Sequence, residues 1–183
     1  GKLSTHKKFG EATAVLAGNS LLTLAFEIIS EKKNLLSATQ KNEIIKILAN
    51  YSGHTGMAGG QELDLKFENK RKSFKQIIDM QRKKTGKLFN FCFQAVAVAA
   101  NKNKKVRSFF GNLGEEVGLL FQLADDFLDI KGSKKLVGKP IKKDSKKGKS
   151  TLINLMGYKN AIKYAHKLEK KILLKLKKHG KNT

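Results

Sequence analysis

Apolar residues recur at helical spacing along nearly all of this 183-residue chain, and no strand-like alternation persists anywhere in it. That period excludes a sheet and leaves an all-α bundle. Helices are expected over roughly 6–30, 40–60, 74–100, 105–131 and 151–178, with polar breaks "SEKKNLLSATQ", "LKFENKRKS", "ANKNKKV" and "KGSKKLVGKPIKKDSKKGKST" between them. The last break is the longest, rich in Lys and Gly, and long loops of this kind often act as lids over sites. No internal repeat or second domain is visible. With 40% hydrophobic residues the chain holds one globular domain with a real core.

The helix "GLLFQLADDFLDI", residues 118–130, breaks the usual pattern. At about 100° per residue, Gln122, Asp125, Asp126 and Asp129 share an arc of about 100°. Leu119, Leu120, Phe121, Leu123, Phe127, Leu128 and Ile130 fill the rest of the circumference. A surface helix normally has the reverse proportion, so this one is expected to be buried, its acids facing something other than bulk water. Three anions within one turn repel one another and need a counter-charge. Lys or Arg answers that need with a salt-bridge knot. A hard divalent cation such as Mg²⁺, which takes one or two carboxylates plus waters and phosphates, answers it equally well.

Acid is otherwise scarce: 15 Asp and Glu stand against 38 Lys and Arg, for a formal charge of +23. Such a charge invites a nucleic-acid reading. Arginine, however, occurs only at 71, 82 and 107, and sequence-reading interfaces favour its forked guanidinium. The lysines are spread along the chain without a zinc-finger or RNA-binding signature, so nucleic acid is not the expected partner. Cys92 is the single cysteine and excludes an internal disulfide; in "LFNFCFQAV" it reads as a core residue. No secretory signal and no 18-residue apolar span is read, which points to a soluble, cytoplasmic protein.

Two further stretches stand out. "GHTGMAGGQELDL" carries Gly53, Gly56, Gly59 and Gly60, each costing a helix about 1 kcal/mol relative to Ala. Close helix packing explains them, and so does a backbone approaching a ligand. Gln61 and Asp64, one turn apart, are placed to face the same site as the acidic helix. "MQRKKTGKLF" sets Lys83, Lys84, Thr85 and Lys87 on an otherwise apolar helix. They read either as ligand-binding groups or as a short exposed stretch at a kink near Gly86.

Taken in order, "THKKFGEATAVLAGNSLLTLAFEII", "GMAGGQELDL", "KKTGKLF", "GLLFQLADDFLDI", "LVGKPIKKD" and "GKST" resemble the trans-isoprenyl diphosphate synthases, or polyprenyl synthetases. Bacterial short-chain farnesyl diphosphate synthases are the group most similar. The resemblance implies an isoprenoid synthase bundle around a central cavity and a homodimer. It implies Mg²⁺-dependent condensation of isopentenyl diphosphate with an allylic diphosphate, dimethylallyl or geranyl, by ionisation, condensation and elimination. Asp125 and Asp129 would serve Mg²⁺, with Asp126 supporting them. Lys84 and Lys139 would grip the allylic diphosphate, and Lys149 would help to close the site. Thr85 and Gln122 oxygens would face the allylic cation, and Phe121 would line the floor near isopentenyl diphosphate. Water exclusion around a carbocation accounts for the apolar circumference.

The family's first Asp-rich motif and its paired arginines would precede Gly1, and its final helix would follow Thr183. Residues 1–183 are therefore expected to be a single polyprenyl synthetase domain truncated at both ends, inactive by itself. Two alternatives are a non-catalytic homologue that regulates a partner synthase and, more remotely, a lysine-rich helical nucleic-acid binder.

Overall fold

The computed structural model describes residues 3–131 and 150–179, and every regular element among them is helical. The elements are α1 (Thr5–Phe9), α2 (Glu11–Ser30), α3 (Ala38–Ser52), α4 (Met57–Phe67), α5 (Phe74–Gln81), a π-helical turn (Arg82–Gly86), α6 (Lys87–Ala99), α7 (Lys104–Lys131), α8 (Leu152–Met156) and α9 (Tyr158–His179). The all-α expectation holds. Three of the expected helices are each two, and glycine divides them. Gly10 (φ 88°) separates α1 from α2, and Gly157 (φ 80°) separates α8 from α9. Both sit in the left-handed region that favours glycine. Gly53 ends α3, donating its N–H to the Ala49 carbonyl, and α4 starts after Gly56.

Local chemistry places the starts of α3 and α5. Ser37 and Gln40 form a capping box, as do Ser73 and Gln76. Gln40 also donates from Nε2 to the Val98 and Ala99 carbonyls, so it ties the start of α3 to the end of α6.

The core lies where α5, α7, α8 and α9 meet. Ile77, Ile78, Met80, Leu113, Leu119, Leu123, Leu152, Leu168 and Ile172 are buried there in one cluster. α7 is the central rod, flanked by α6 on one side and α9 on another. Glu116 on α7 fastens α9, holding Lys171 and Lys175 at 2.8 Å each. Burial works to raise the Glu116 carboxyl, but the hydrogen bonds and charges of the two lysines outweigh it and hold its pKa below the ordinary value. A carboxylate depressed by folding stabilises the protein above its unfolded pKa and loses that contribution as pH falls through the folded value. Glu116→Gln is therefore expected to cost about 1 kcal/mol at neutral pH. In paired thermal melts the difference from wild type should shrink below about pH 4.3, the ordinary glutamate value. A difference that stays constant down to low pH would refute this role.

Three expectations are corrected. Cys92 is exposed rather than in the core: α6 packs against α7 and α3, and Cys92 lies on its remaining side. Nor is α7 buried all round, since Phe121 and Leu128 are both more than half exposed. Finally, α2 is a 20-residue helix, long and apolar enough by composition to span a bilayer, and none of its residues is fully buried. The scattered Asn19, Ser20 and Thr23 hid that span from a search for unbroken apolar runs.

Candidate functional site

Glycines bring three rods into main-chain contact. A Cβ built on Gly60 of α4 would lie 2.1 Å from the Lys84 nitrogen. One on Gly118 of α7 would lie 2.9 Å from the Gly86 Cα, and one on Gly114 2.6 Å from the Phe89 carbonyl oxygen. No side chain fits at these points. The glycine-dense stretch at 53–60 is thus resolved, at Gly60, as close helix packing. Its effect is to bring Asp64, one turn beyond Gly60, against Lys84.

The 82–86 segment is a π-turn: the Lys87 N–H bonds to the Arg82 carbonyl five residues earlier. Single π-turns inside helices redirect side chains and are frequent at functional sites. Here the basic residues of "RKKTGK" go different ways. Lys83 pairs with Asp79 at 3.1 Å. Lys87 pairs with Glu115 at 2.8 Å, and Arg82 approaches the same carboxylate at 3.8 Å. Lys84 turns to Asp64, with Nζ to Oδ2 at 2.6 Å. Thr85 turns to α7.

From Thr85 a polar chain runs inward. The Thr85 hydroxyl donates to Gln122 Oε1 at 2.9 Å, and Gln122 Nε2 donates to Asp126 Oδ1 at 2.9 Å. Gln81 Nε2 reaches Asp126 Oδ2 at 3.4 Å. Asp126 is 4% exposed, and Gln81 is buried, its Oε1 meeting no hydrogen-bond donor among the described residues. Asp64, Met80, Gln81, Lys84, Gln122, Asp126, Ser150 and Thr151 line a shared cavity of about 20 Å³, room for one water-sized group.

The structure therefore brings together Asp64, Lys84, Thr85, Gln122 and Asp126. Of the three aspartates on α7, it is Asp126 that faces this cavity. Asp125 is partly exposed and Asp129 is buried, and neither lines it. Among the described residues, no three His, Cys, Asp or Glu side chains converge as a metal site. Phe121 is 57% exposed and stacks near Phe89, with ring centroids 5.4 Å apart. Gln61 is exposed. Lys139, Lys149 and all but Ser150 of the lid expected over 132–150 lie outside the described residues.

Sequence reasoning missed Gln81, Ser150 and Thr151. Gln81 follows "IIDM" at the end of α5, one turn after the buried Ile77, and a polar residue on that apolar face was the available signal. Ser150 Oγ donates to the Phe67 and Lys70 carbonyls at 3.0 and 2.7 Å, so it secures the end of α4. Thr151 caps α8 by accepting the Asn154 N–H.

Comparison with known proteins is consistent throughout. The polyprenyl synthetase family model matches residues 1–182. The chain is 36% identical over 170 residues to a farnesyl diphosphate synthase of Bacillus subtilis, covering 92% of this chain and 56% of that protein. It is 39% identical over 165 residues to one of Escherichia coli, covering 89% and 55%. The crystal structure of a Helicobacter pylori geranyltransferase, complexed with magnesium and isoprenyl diphosphate, superposes with a TM-score of 0.87 at 34% identity. That match covers 96% of this chain and 57% of the other. The chain thus spans a little over half the length of these relatives.

Proposed function

The chain belongs to the polyprenyl synthetase family, and from that premise we propose that the full-length protein is a trans-prenyltransferase. It condenses isopentenyl diphosphate with dimethylallyl or geranyl diphosphate to give farnesyl diphosphate or a similar short-chain product. One observation carries the reading: Lys84 on the π-turn shares one small cavity with Gln122 and Asp126 of α7, and the neighbouring Thr85 donates to Gln122. Relatives named farnesyl diphosphate synthase, at 36–39% identity, support the product class.

The residues present fit one side of a Mg²⁺ site. Asp125 and Asp129, one turn apart on α7, offer hard oxygen donors and no soft ligand, which suits an ion that keeps waters and takes substrate phosphates. When bound, Mg²⁺ would supply Lewis-acid neutralisation of the departing diphosphate. Lys84 binds the allylic diphosphate, and Asp64 holds its ammonium in place beforehand. Thr85 and Gln122 present dipoles to the allylic cation, which stabilise positive charge without reacting with it. Lys139 and Lys149 add charge for the diphosphate. Phe121 lies on the isopentenyl side, and Gln61 belongs to the substrate-facing end of α4.

We read residues 1–183 as part of one such domain. The family match runs through α2, so its exposed Val15, Leu16, Leu21, Leu24 and Ile28 are read as a surface covered by protein, in a homodimer, rather than by lipid. A cytoplasmic location agrees with that reading. The test is direct. Purified full-length protein, given isopentenyl and geranyl diphosphates with Mg²⁺, should release a fifteen-carbon diphosphate, and a chelator should stop it. Folded protein that forms no longer prenyl diphosphate from any allylic primer would defeat the proposal.

A further inference from the structure

We propose that Asp126 is a positioning residue that sets the direction of the Thr85 hydroxyl through the Gln122 side chain. The proposal rests on the reading of Thr85 and Gln122 as cation-facing groups. A carboxylate oxygen accepts a hydrogen bond from an amide NH₂. Both amides that meet Asp126 present their NH₂ groups to it, Gln122 at 2.9 Å and Gln81 at 3.4 Å. This fixes an orientation that an isolated amide leaves open. Gln122 Oε1 is consequently turned to Thr85, whose one hydroxyl proton is used there at 2.9 Å. The remaining Thr85 lone pairs are then the part of the hydroxyl left to face a substrate.

Gln81 supports the same conclusion. Its Nε2 is the atom turned to Asp126, and turning the amide over would set its carbonyl against the Asp126 carboxylate. Each of the two Asp126 oxygens is thus engaged by an amide N–H from a different helix, α5 or α7.

Reversal of the chain has a chemical consequence. In Asp126→Asn, the new amide can donate to Gln122 Oε1 and let that side chain turn over. Gln122 would then offer NH₂ to Thr85, and the Thr85 proton would point outward. A hydroxyl proton aimed at developing positive charge opposes it, where a lone pair would favour it. Exchanging the partners restores the order. In the double variant Asp126→Asn with Gln122→Glu, the amide at position 126 donates to the carboxylate at position 122, whose second oxygen accepts from Thr85.

The test uses full-length protein. Asp126→Asn should lower kcat about tenfold, while KM for geranyl diphosphate and the Mg²⁺ concentration for half-maximal rate stay within about twofold. In metal-free, substrate-free protein the Gln122 side-chain NH₂ resonances should shift and exchange faster. The double variant should recover kcat to within about threefold of wild type. If Asp126→Asn does not fold, the double variant, which keeps one carboxylate and one amide in the chain, is compared directly with Gln122→Glu. A tenfold rise in the Mg²⁺ requirement on Asp126→Asn would make Asp126 a metal ligand and overturn the proposal. A double variant no better than the singles would also overturn it. Thr85→Val separates the two layers. Normal kcat in that variant removes the cation-facing reading and the proposal with it. Reduced kcat there, beside a normal Asp126→Asn, overturns the proposal alone.

Discussion

Asp125→Ala is expected to lower kcat of the full-length protein by roughly 10²-fold or more, about 3 kcal/mol of transition-state stabilisation. Asp125 is partly exposed on α7, beside the buried Asp126 and Asp129. Removing a partly exposed carboxylate opens no cavity in the core. The melting temperature should therefore change little. A loss of rate without a loss of fold is the signature of a group that acts on the departing diphosphate. Lys84→Ala makes a useful contrast. Lys84 holds Asp64, a buried acid, at 2.6 Å, so its removal leaves a buried carboxylate without its cation. Weaker allylic binding should then be accompanied by a lower melting temperature. Thermal melts with steady-state kinetics distinguish the two variants. If Asp125→Ala unfolds the protein while its folded fraction works normally, the acidic cluster is structural.

Gly60→Ala should cause a large loss of stability for a single added methyl group. The new Cβ would stand 2.1 Å from the Lys84 nitrogen and 2.6 Å from its Cα. These are main-chain atoms and cannot swing aside, so α4 must move away from the π-turn. Overpacking of this kind costs about 1–3 kcal/mol, and a clash with backbone belongs at the upper end. The gain in helix propensity from Gly to Ala, about 1 kcal/mol, offsets only part of it. A fall in melting temperature of about 4–8 °C follows for a chain of this size. Activity should fall as well, since Lys84 moves with the contact. Equal melting temperatures for Gly60→Ala and wild type would mean that α4 and the π-turn are not in backbone contact.

Hydrophobic period was enough to read the fold class, because a 3.6-residue repeat buries one face whatever the loops do. It was not enough to place the divisions at Gly10 and Gly157. Glycine inside a helical pattern is compatible with a weakened helix or with a left-handed turn, and only the φ angle separates them. Cys92 looked internal because its neighbours Phe91 and Phe93 are apolar, yet direction round a helix changes by about 100° at each step. Motif resemblance brought Lys84, Thr85 and Gln122 to one site, and the cavity joins Lys84 to Gln122. The same motifs placed Asp126 with its two acidic neighbours, whereas the structure turns it to Gln81 and Gln122. That difference comes from where α5 lies against α7, which no local spacing encodes. The π-turn was equally hidden: "RKKTG" is ordinary helical composition, and the extra residue is accommodated by packing at Gly60 and Gly118.

The π-turn makes the number of residues between Ile77 and Val98 as constrained as their identity. Both of those side chains are buried, one on each side of the turn. Deleting one residue from 82–86 would let α5 run into α6 as a regular helix and rotate everything beyond by about 100°. Either Asn90, Ala97 and Val98 would leave their buried positions or Lys84 and Thr85 would leave the site. Evolution can substitute freely at Lys83, whose Asp79 partner is on the surface, but length variation in this segment should be purged. Among homologues that keep the same chemistry, gaps in alignment belong in the turns before Phe74 and after Ala99, and not between them.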